Sequence, residues 1–249
     1  MAVCYNPGMA ICEVHWFGMA DYEEIWRLQE RWAGEIAAGV RPATLLLLEH
    51  PHTFTMGRRS DPAHLLWSQA EIDAHGAKVF QVDRGGDITY HGPGQLVGYP
   101  LIPLGIPGGA SGLIDRADYV GYIRKLEQVL IATAARFGIA AEARAGLTGV
   151  WVSAHEWSRS RVAARDAQPA AHKLASIGVK VDARGISRHG FALNVNTQPE
   201  FWGGIVACGL DGVQMANLAD FCEPVPAMET VRDVAEACFL DEFDFTRNG

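Results

Sequence analysis

Twelve residues, Arg84-Gly-Gly-Asp-Ile-Thr-Tyr-His-Gly-Pro-Gly-Gln95, constrain this chain more than any other stretch. Four of the twelve are glycines, which let the backbone turn sharply and come close to a ligand. Arg84, Thr89, Tyr90, His91 and Gln95 are threaded between them. Strand alternation over Asp87–His91 puts Thr89 and His91 on one face and Ile88 and Tyr90 on the other. A single glycine pair would read as an ordinary β-hairpin, but this density of polar side chains reads as a ligand-facing strand and loop. Neither G-x-x-x-x-G-K-[ST] nor G-x-G-x-x-G is present, so a phosphate cradle is weakly supported.

The rest of the 249 residues surrounds this segment with short strands and well-separated helices. Asp21 sits at the N-cap position of a helix over 21–38, whose Tyr22, Ile25, Trp26, Gln29, Trp32 and Ile36 follow helical spacing up to Gly39. Thr44–Glu49 is an apolar run suited to a buried strand. Ser68-Gln-Ala-Glu71 has the spacing of a capping box for a short helix ending before Gly76. Strands are expected over 77–83, 87–90 and 95–104. A long amphipathic helix follows over 115–137, its stripe formed by Tyr119, Ile123, Leu126, Leu130, Ala134 and Phe137. Further strands are expected over 149–153, 174–181 and 191–196, with a closing helix over 230–239. Hairpin-like strands beside segregated helices predict an α+β fold, with a mixed, mostly antiparallel sheet flanked by helices. No repeated strand–helix–strand unit supports a Rossmann fold. Residues 1–249 read as one domain, with an arginine-rich loop or short helix inserted at about 154–172.

Composition narrows the function. Charged residues make up 20% of the chain and apolar ones 49%, so a substantial core is available. The net charge of −8 argues against general nucleic-acid binding. The longest aliphatic run, Leu45–Leu48, is far short of the ~20 residues that cross a bilayer. With the first arginine at Arg27, no targeting segment is evident, and a cytoplasmic protein without membrane association is expected. Cys4, Cys12, Cys208, Cys222 and Cys238 are scattered without a C-x-x-C pair, which suits a reducing compartment. No histidine or cysteine spacing suggests a metal site.

Two other residues could carry chemistry. Lys173 opens an otherwise apolar strand; read locally it is solvated, and partial burial would make it usable as a base. Cys208, in Gly204-Ile-Val-Ala-Cys-Gly-Leu210, could present a thiol on a tight turn. The local reading for every cysteine here is a small buried hydrophobe.

Taken in order, these segments resemble the lipoyl(octanoyl) transferase family. The matching stretches are Leu48-Glu-His-Pro with Thr53–Arg58, and Arg84–Gln95 running into Tyr99-Pro-Leu101. They continue with Thr148-Gly-Val-Trp-Val152, Lys173–Val179, His189-Gly-Phe-Ala-Leu-Asn-Val195 and Cys208-Gly. The likeness runs from about Leu45 to Cys208. There are two departures: Ala207 stands where the family has proline, and the 154–172 segment is longer than is typical.

The resemblance implies the fold of the biotin/lipoate protein ligase catalytic domain and transfer of octanoyl from octanoyl-acyl-carrier protein to the acceptor lysine of lipoyl domains. It makes Cys208 the nucleophile, forming an acyl-thioester, and Lys173 its proton partner. No cofactor, metal or ATP is implied. The substrate contacts it carries over are Arg84, Gly85, Gly86, Asp87, Ile88, Thr89, Tyr90 and His91, then Ser176, Ile177 and Gly178, then Gly190, Phe191 and Ala192. The small side chains of Gly178, Gly190 and Ala192 are expected to leave room for eight carbons. Because both protein partners are generally acidic, Arg58, Arg59, Arg159, Arg161 and Arg165 are expected to form a basic docking patch. The alternatives are an ATP-dependent lipoate or biotin ligase and a non-catalytic acyl-binding relative.

Overall fold

The computed structural model describes residues 10–104, 118–162, 171–210 and 212–248. Strand β1 (Ala10–Met19) leads into helix α1 (Tyr22–Ala37), and β2 (Ala43–Glu49) follows. Strand β3 (Thr53–Met56), helix α2 (Gln69–Ala74), β4 (Lys78–Gln81) and β5 (Ile88–His91) make a smaller unit. Then come β6 (Gln95–Leu101), helix α3 (Tyr119–Arg136), β7 (Ala141–Arg144), β8 (Leu147–Val152) and the four-residue helix α4 (Ala154–Trp157). Strands β9 (His172–Val181) and β10 (Ser187–Asn194), helix α5 (Pro199–Trp202), β11 (Gln214–Met215), helix α6 (Met228–Glu242) and β12 (Phe245–Arg247) complete the order.

The large sheet runs β12-β1-β2-β6-β10-β9-β8-β7, with β11 added beside β9, and the small sheet runs β4-β3-β5. Parallel pairs are β1–β12, β1–β2, β9–β11 and β3–β4; the other pairings are antiparallel. The expected α+β class with a mixed, mostly antiparallel sheet is therefore observed.

Strand β2 explains why its leucines are continuous rather than alternating. Leu45 and Leu47 face the cluster that holds α3 and α6, while Leu46 and Leu48 face α1. All four are fully buried because both faces of the sheet are covered. Helix α1 is capped as expected, with the Asp21 carboxylate accepting from the amides of Glu23 and Glu24. The Ser68–Glu71 capping box of α2 is also present.

Some expectations are corrected. The core face of α3 runs through Tyr122, Leu126, Val129, Leu130 and Ala134, while Tyr119 in the first turn is half exposed. Tyr122 lies four residues before Leu126, so the same helical spacing admits it. Residues 115–117 of that expected helix lie outside the described residues. Strands β1, β3, β7, β11 and β12 were not among the expected elements. The inserted segment begins as α4, where Trp157 stacks on His172 at 3.7 Å between ring centroids; residues 163–170, including Arg165, lie outside the described residues. Among the described residues, no helix is long and apolar enough to cross a membrane, and no cluster of three or more His, Cys, Asp or Glu could hold a metal.

Candidate active site

Lys173 and Cys208 stand 35 residues apart in sequence, yet the fold brings them into contact. Lys173 Nζ donates to Cys208 Sγ at 3.3 Å, and Ser176 Oγ lies 3.9 Å from the same sulfur. The connection is made by β11, whose Gln214 and Met215 pair with His172 and Lys173. The chain leaving the cysteine turn is thereby stitched to the strand that carries the lysine.

Lys173 is only 2% exposed, so its local reading as a solvated lysine is overturned. Its aliphatic stem passes over Gly149, whose φ is +116°. A Cβ there would strike the Ala175 carbonyl and the Lys173 Cε. The Gly149 amide donates to the buried Glu127 of α3 at 3.1 Å, fixing this bulged stretch of β8. The Trp151 ring centroid lies 5.1 Å from the ammonium, a favourable position for a cation.

Cys208 sits in a single turn over Ala207–Gly209 with φ 58° and ψ 18°, a left-handed conformation that costs a non-glycine residue energy. Gly209 follows at φ +66°, and a Cβ there would press into the Asp87 carboxylate and against His64. Asp87 in turn binds His64 Nδ1 at 2.6 Å. The entry to the turn is fixed by the Val206 amide donating to the His64 carbonyl at 2.8 Å. The local reading of the cysteines as buried hydrophobes holds for Cys12 and Cys238. Burial pushes the Cys12 thiol up to about 12. It fails for Cys208, which is partly exposed. Cys222 is also only partly buried, and Cys4 lies outside the described residues.

A cavity of about 200 Å³ opens over the two reacting groups. Its walls include Arg84, Gly86, Asp87, Thr89, His91, Lys173, Ser176, Ile177, Gly178, Gly190, Phe191, Ala192 and Cys208. Of the expected contacts, Gly85, Ile88 and Tyr90 do not line it. Ile88 and Tyr90 point to the other side of β5, into the small sheet's own apolar cluster with Phe54 and Phe201, as strand alternation requires. The two glycines expected to leave space for a chain make room for protein atoms. A Cβ on Gly178 would crowd the Arg84 Cδ at 3.0 Å, and one on Gly190 would strike Gly98 and Pro100 of β6.

Arg84 is buried and, among the described residues, binds only neutral groups: Thr55 Oγ1 at 2.9 Å, the Thr55 carbonyl at 2.6 Å and the Gly85 carbonyl at 2.9 Å. Burial works against its charge and lowers its pKa. His91 Nδ1 donates to Gln95 Oε1 at 2.8 Å, and the Gln95 amide donates to the Tyr90 carbonyl and Asn194 Oδ1. Nε2 of His91 is therefore the unprotonated nitrogen of a neutral ring, and burial lowers this histidine's pKa to about 3. Thr89 Oγ1 is buried in the cavity wall without a hydrogen-bond partner among the described residues. In a chain this size most buried hydroxyls find one, so this group is open to a ligand.

Further residues line the cavity that sequence patterns did not single out as contacts. Tyr22, Tyr99, Leu147, Leu210 and His189 are among them. His189 holds φ 54° and donates from Nε2 to Asp83 at 2.7 Å; burial is the main cause of its lowered pKa. Tyr99 and His189 fall within segments quoted for the family likeness, so a signal for them existed. Gly149 also lay in a quoted segment, but nothing local pointed to its role. His64 had no signal at all.

The expected docking patch is divided. Arg159 pairs with Glu156 at 3.1 Å and Arg161 pairs with Glu223, whereas Arg58 and Arg59 have no carboxylate partner among the described residues.

Comparison with known proteins identifies the family and the fold. Residues 21–240 match the model of the lipoyl protein ligase A/B catalytic domain. An octanoyltransferase of Chloroflexus aurantiacus is 39% identical over 90% of this chain and 91% of that protein. One from Mycolicibacterium gilvum is 38% identical over 98% of this chain and 90% of its own length. Among solved structures, the bipartite lipoate protein ligase of Thermoplasma acidophilum gives a TM-score of 0.67 at 14% identity, covering 95% of this chain and 86% of that one. A lipoate-protein ligase A bound with ATP gives 0.65 at 13%, covering 96% and 87%. At such identities the solved structures establish the shared fold.

Proposed function

The chain belongs to the lipoyl protein ligase A/B catalytic domain family, and from that premise we propose that it is an octanoyltransferase of lipoate biosynthesis. It takes octanoyl from octanoyl-acyl-carrier protein and delivers it to the acceptor lysine of lipoyl domains. The observation that carries this reading is the Lys173 Nζ at 3.3 Å from the Cys208 Sγ, at the floor of a partly apolar cavity.

A free thiol is mostly protonated near neutrality, whereas the thiolate is the nucleophile. Lys173 sets a proton acceptor or a positive charge against the sulfur. The thiolate attacks the octanoyl carbonyl, a tetrahedral oxyanion forms, and the carrier's sulfur departs with a proton, leaving octanoyl on Cys208. The acceptor lysine then attacks the new thioester, loses a proton to Lys173 and leaves as the octanoyl amide. Exchange between thioesters is nearly neutral and amide formation runs downhill, so no nucleotide or other cofactor is needed. Two large protein partners use one site in turn because the acyl group waits on the enzyme between visits. Ile177, Phe191, Ala192, Leu147 and Leu210 supply apolar wall for the chain; each methylene removed from water contributes about 0.8 kcal/mol. Residues 1–249 act as one catalytic unit. Four described cysteines without a disulfide suit a reducing compartment, which favours the cytoplasm.

The test is intact mass after incubation with octanoyl-acyl-carrier protein and no nucleotide. One octanoyl adduct, removed by hydroxylamine and missing in Cys208→Ala, is the expected result. An adduct on the lipoyl domain that appears only when ATP is supplied would make the protein a ligase. Octanoate binding without any adduct, unaltered in Cys208→Ala, would make it a non-catalytic relative.

A further inference from the structure

Ion pairing across the surface singles out one turn. Most described arginines and lysines have a carboxylate within 4.0 Å, from Arg27 with Glu23 to Arg247 with Glu236. Those without one among the described residues are Arg58, Arg59, Arg84, Lys173, Arg124 and Arg136. The last two lie on the exposed side of α3; the other four gather at one cleft. Arg59, Arg84 and Lys173 line the same cavity, and the amide of Arg58, next to Arg59 in the chain, donates to the Arg84 carbonyl. Lys173 is committed to Cys208 and Arg84 to Thr55. Arg58 and Arg59 are exposed and uncommitted.

The turn that presents them is held firmly. The amides of Arg58 and Arg59 donate to the carbonyls of Arg84 and Gly86, at 3.0 and 3.2 Å, and the Ser60 amide closes the turn onto the Gly57 carbonyl at 3.1 Å. A Cβ on Gly57 would strike the Gly86 carbonyl, so the turn and the glycine-rich loop are in direct backbone contact. Next to the arginines, Ser60 Oγ is buried with no hydrogen-bond partner among the described residues. A turn with two unpaired guanidinium groups and an orphaned hydroxyl has the donor set of an anion site.

We propose that the turn Gly57–Ser60 recognises the phosphate of the pantetheine arm on which the acyl donor carries its thioester. The inference rests on the transfer reading above and names the chemical group that the donor presents at the cavity rim. An acyl-carrier thioester reaches Cys208 by passing its arm into this cavity, whose wall includes Arg59, and the arm's phosphate is its one fixed charge. Arg58 and Arg59 bind its oxygens, with Ser60 Oγ as a third donor. In a chain of net charge −8, two unpaired arginines at the mouth also counter the general repulsion of an anionic donor.

The test titrates 4′-phosphopantetheine and pantetheine into the parent protein and into the R58A/R59A variant by calorimetry at low salt, with Ser60→Ala as a second variant. Adduct formation from octanoyl-acyl-carrier protein is followed separately. The parent is expected to bind the phosphorylated arm at least tenfold more tightly than pantetheine. That preference is expected to collapse toward unity in R58A/R59A and to shrink in Ser60→Ala. Equal binding of the two arms by the parent, or a preference that survives in R58A/R59A, overturns the assignment. Loss of binding only to intact carrier, with the arm preference unchanged, also overturns it and assigns the arginines to the carrier's acidic surface. Absence of any acyl adduct in the parent speaks against the transfer reading, and the calorimetric preference still decides the anion site.

Discussion

The wall that carries Lys173 and the wall that carries Cys208 face each other across one cleft and are built by different forces. Lys173 stands at the start of β9, paired with Trp151 of β8 on one side and Met215 of β11 on the other, and the next side chains along the strand, Leu174 and Ala175, are fully buried. Its position follows from backbone hydrogen bonds and core packing. Cys208 stands on a left-handed turn clamped by particular contacts: Gly209 against Asp87, Asp87 on His64, and Val206 on the His64 carbonyl. Packing makes the first wall stiff. The second rests Ile205 and Ala207 on the small sheet's apolar cluster and is clamped around the sulfur by a few directional polar contacts, so a single substitution there is expected to displace the sulfur without unfolding the chain. The lesson is that stability and reactivity are drawn from different walls, and the two can be perturbed separately.

The largest expected effect is chemical. Replacing Lys173 with Met keeps the apolar stem over Gly149 but removes the proton partner of the sulfur. A loss of roughly 10²–10⁴ in the rate of acyl-enzyme formation is expected, within the usual range for a general base. Stopped-time mass spectrometry measures it, and a rate within threefold of the parent would separate lysine from reaction.

Next in size is a test of the stiff wall. Leu193 of β10 is fully buried in the main core, and Leu193→Ala should lower unfolding free energy by about 2–5 kcal/mol. Urea titration reads the stability, and the turnover of the remaining folded protein should stay near that of the parent. If turnover falls as steeply as stability, the two walls are not independent.

Acid should act through histidines near the cleft. Burial holds His50 and His91 neutral, lowering their pKa values from 6.5 to about 4 and about 3, and it shifts His189 in the same direction. Below 6.5 the unfolded chain takes up protons that the folded chain refuses. Their contribution is thus complete above that value and is lost as pH falls toward 4, at up to about 1.4 kcal/mol per pH unit for each histidine. Urea midpoints measured at several pH values between 7 and 4 should decline, and His91→Gln should flatten that decline.

The smallest expected effect probes the clamp. His64→Ala removes the partner of Asp87 at the surface of the cysteine turn. Its expected signature is about a tenfold fall in kcat, equivalent to ~1.4 kcal/mol, with KM for the carrier and the thermal midpoint little changed. A matching fall in thermal midpoint would mean that His64 supports the fold and not the placement of the sulfur.

Much of this architecture was legible locally. The Asp21 cap, the Ser68–Glu71 capping box, the leucine run of β2 and the alternation of β5 are encoded within a few residues each, because caps and periodicity depend only on near neighbours. Strand β1 was not legible: its residues alternate poorly, and much of the strand is only partly buried. Strands β11 and β12 are two and three residues long, too short to carry a period. Among the site residues, the Arg84–His91 string was conspicuous in composition, yet which of its side chains face the cavity depended on β5 pairing with β3.

The sequence by itself determined the chemical groups available, where the backbone needs glycine and the spacing of the main helices and strands. Only the tertiary structure decided that Lys173 is buried, that Cys208 is not, and that the two touch. Burial and contact across 35 residues are set by which strands pair, here β11 with the start of β9. The same holds for charge: Arg161 finds its carboxylate in Glu223, 62 residues away, whereas Arg58 and Arg59 have none among the described residues.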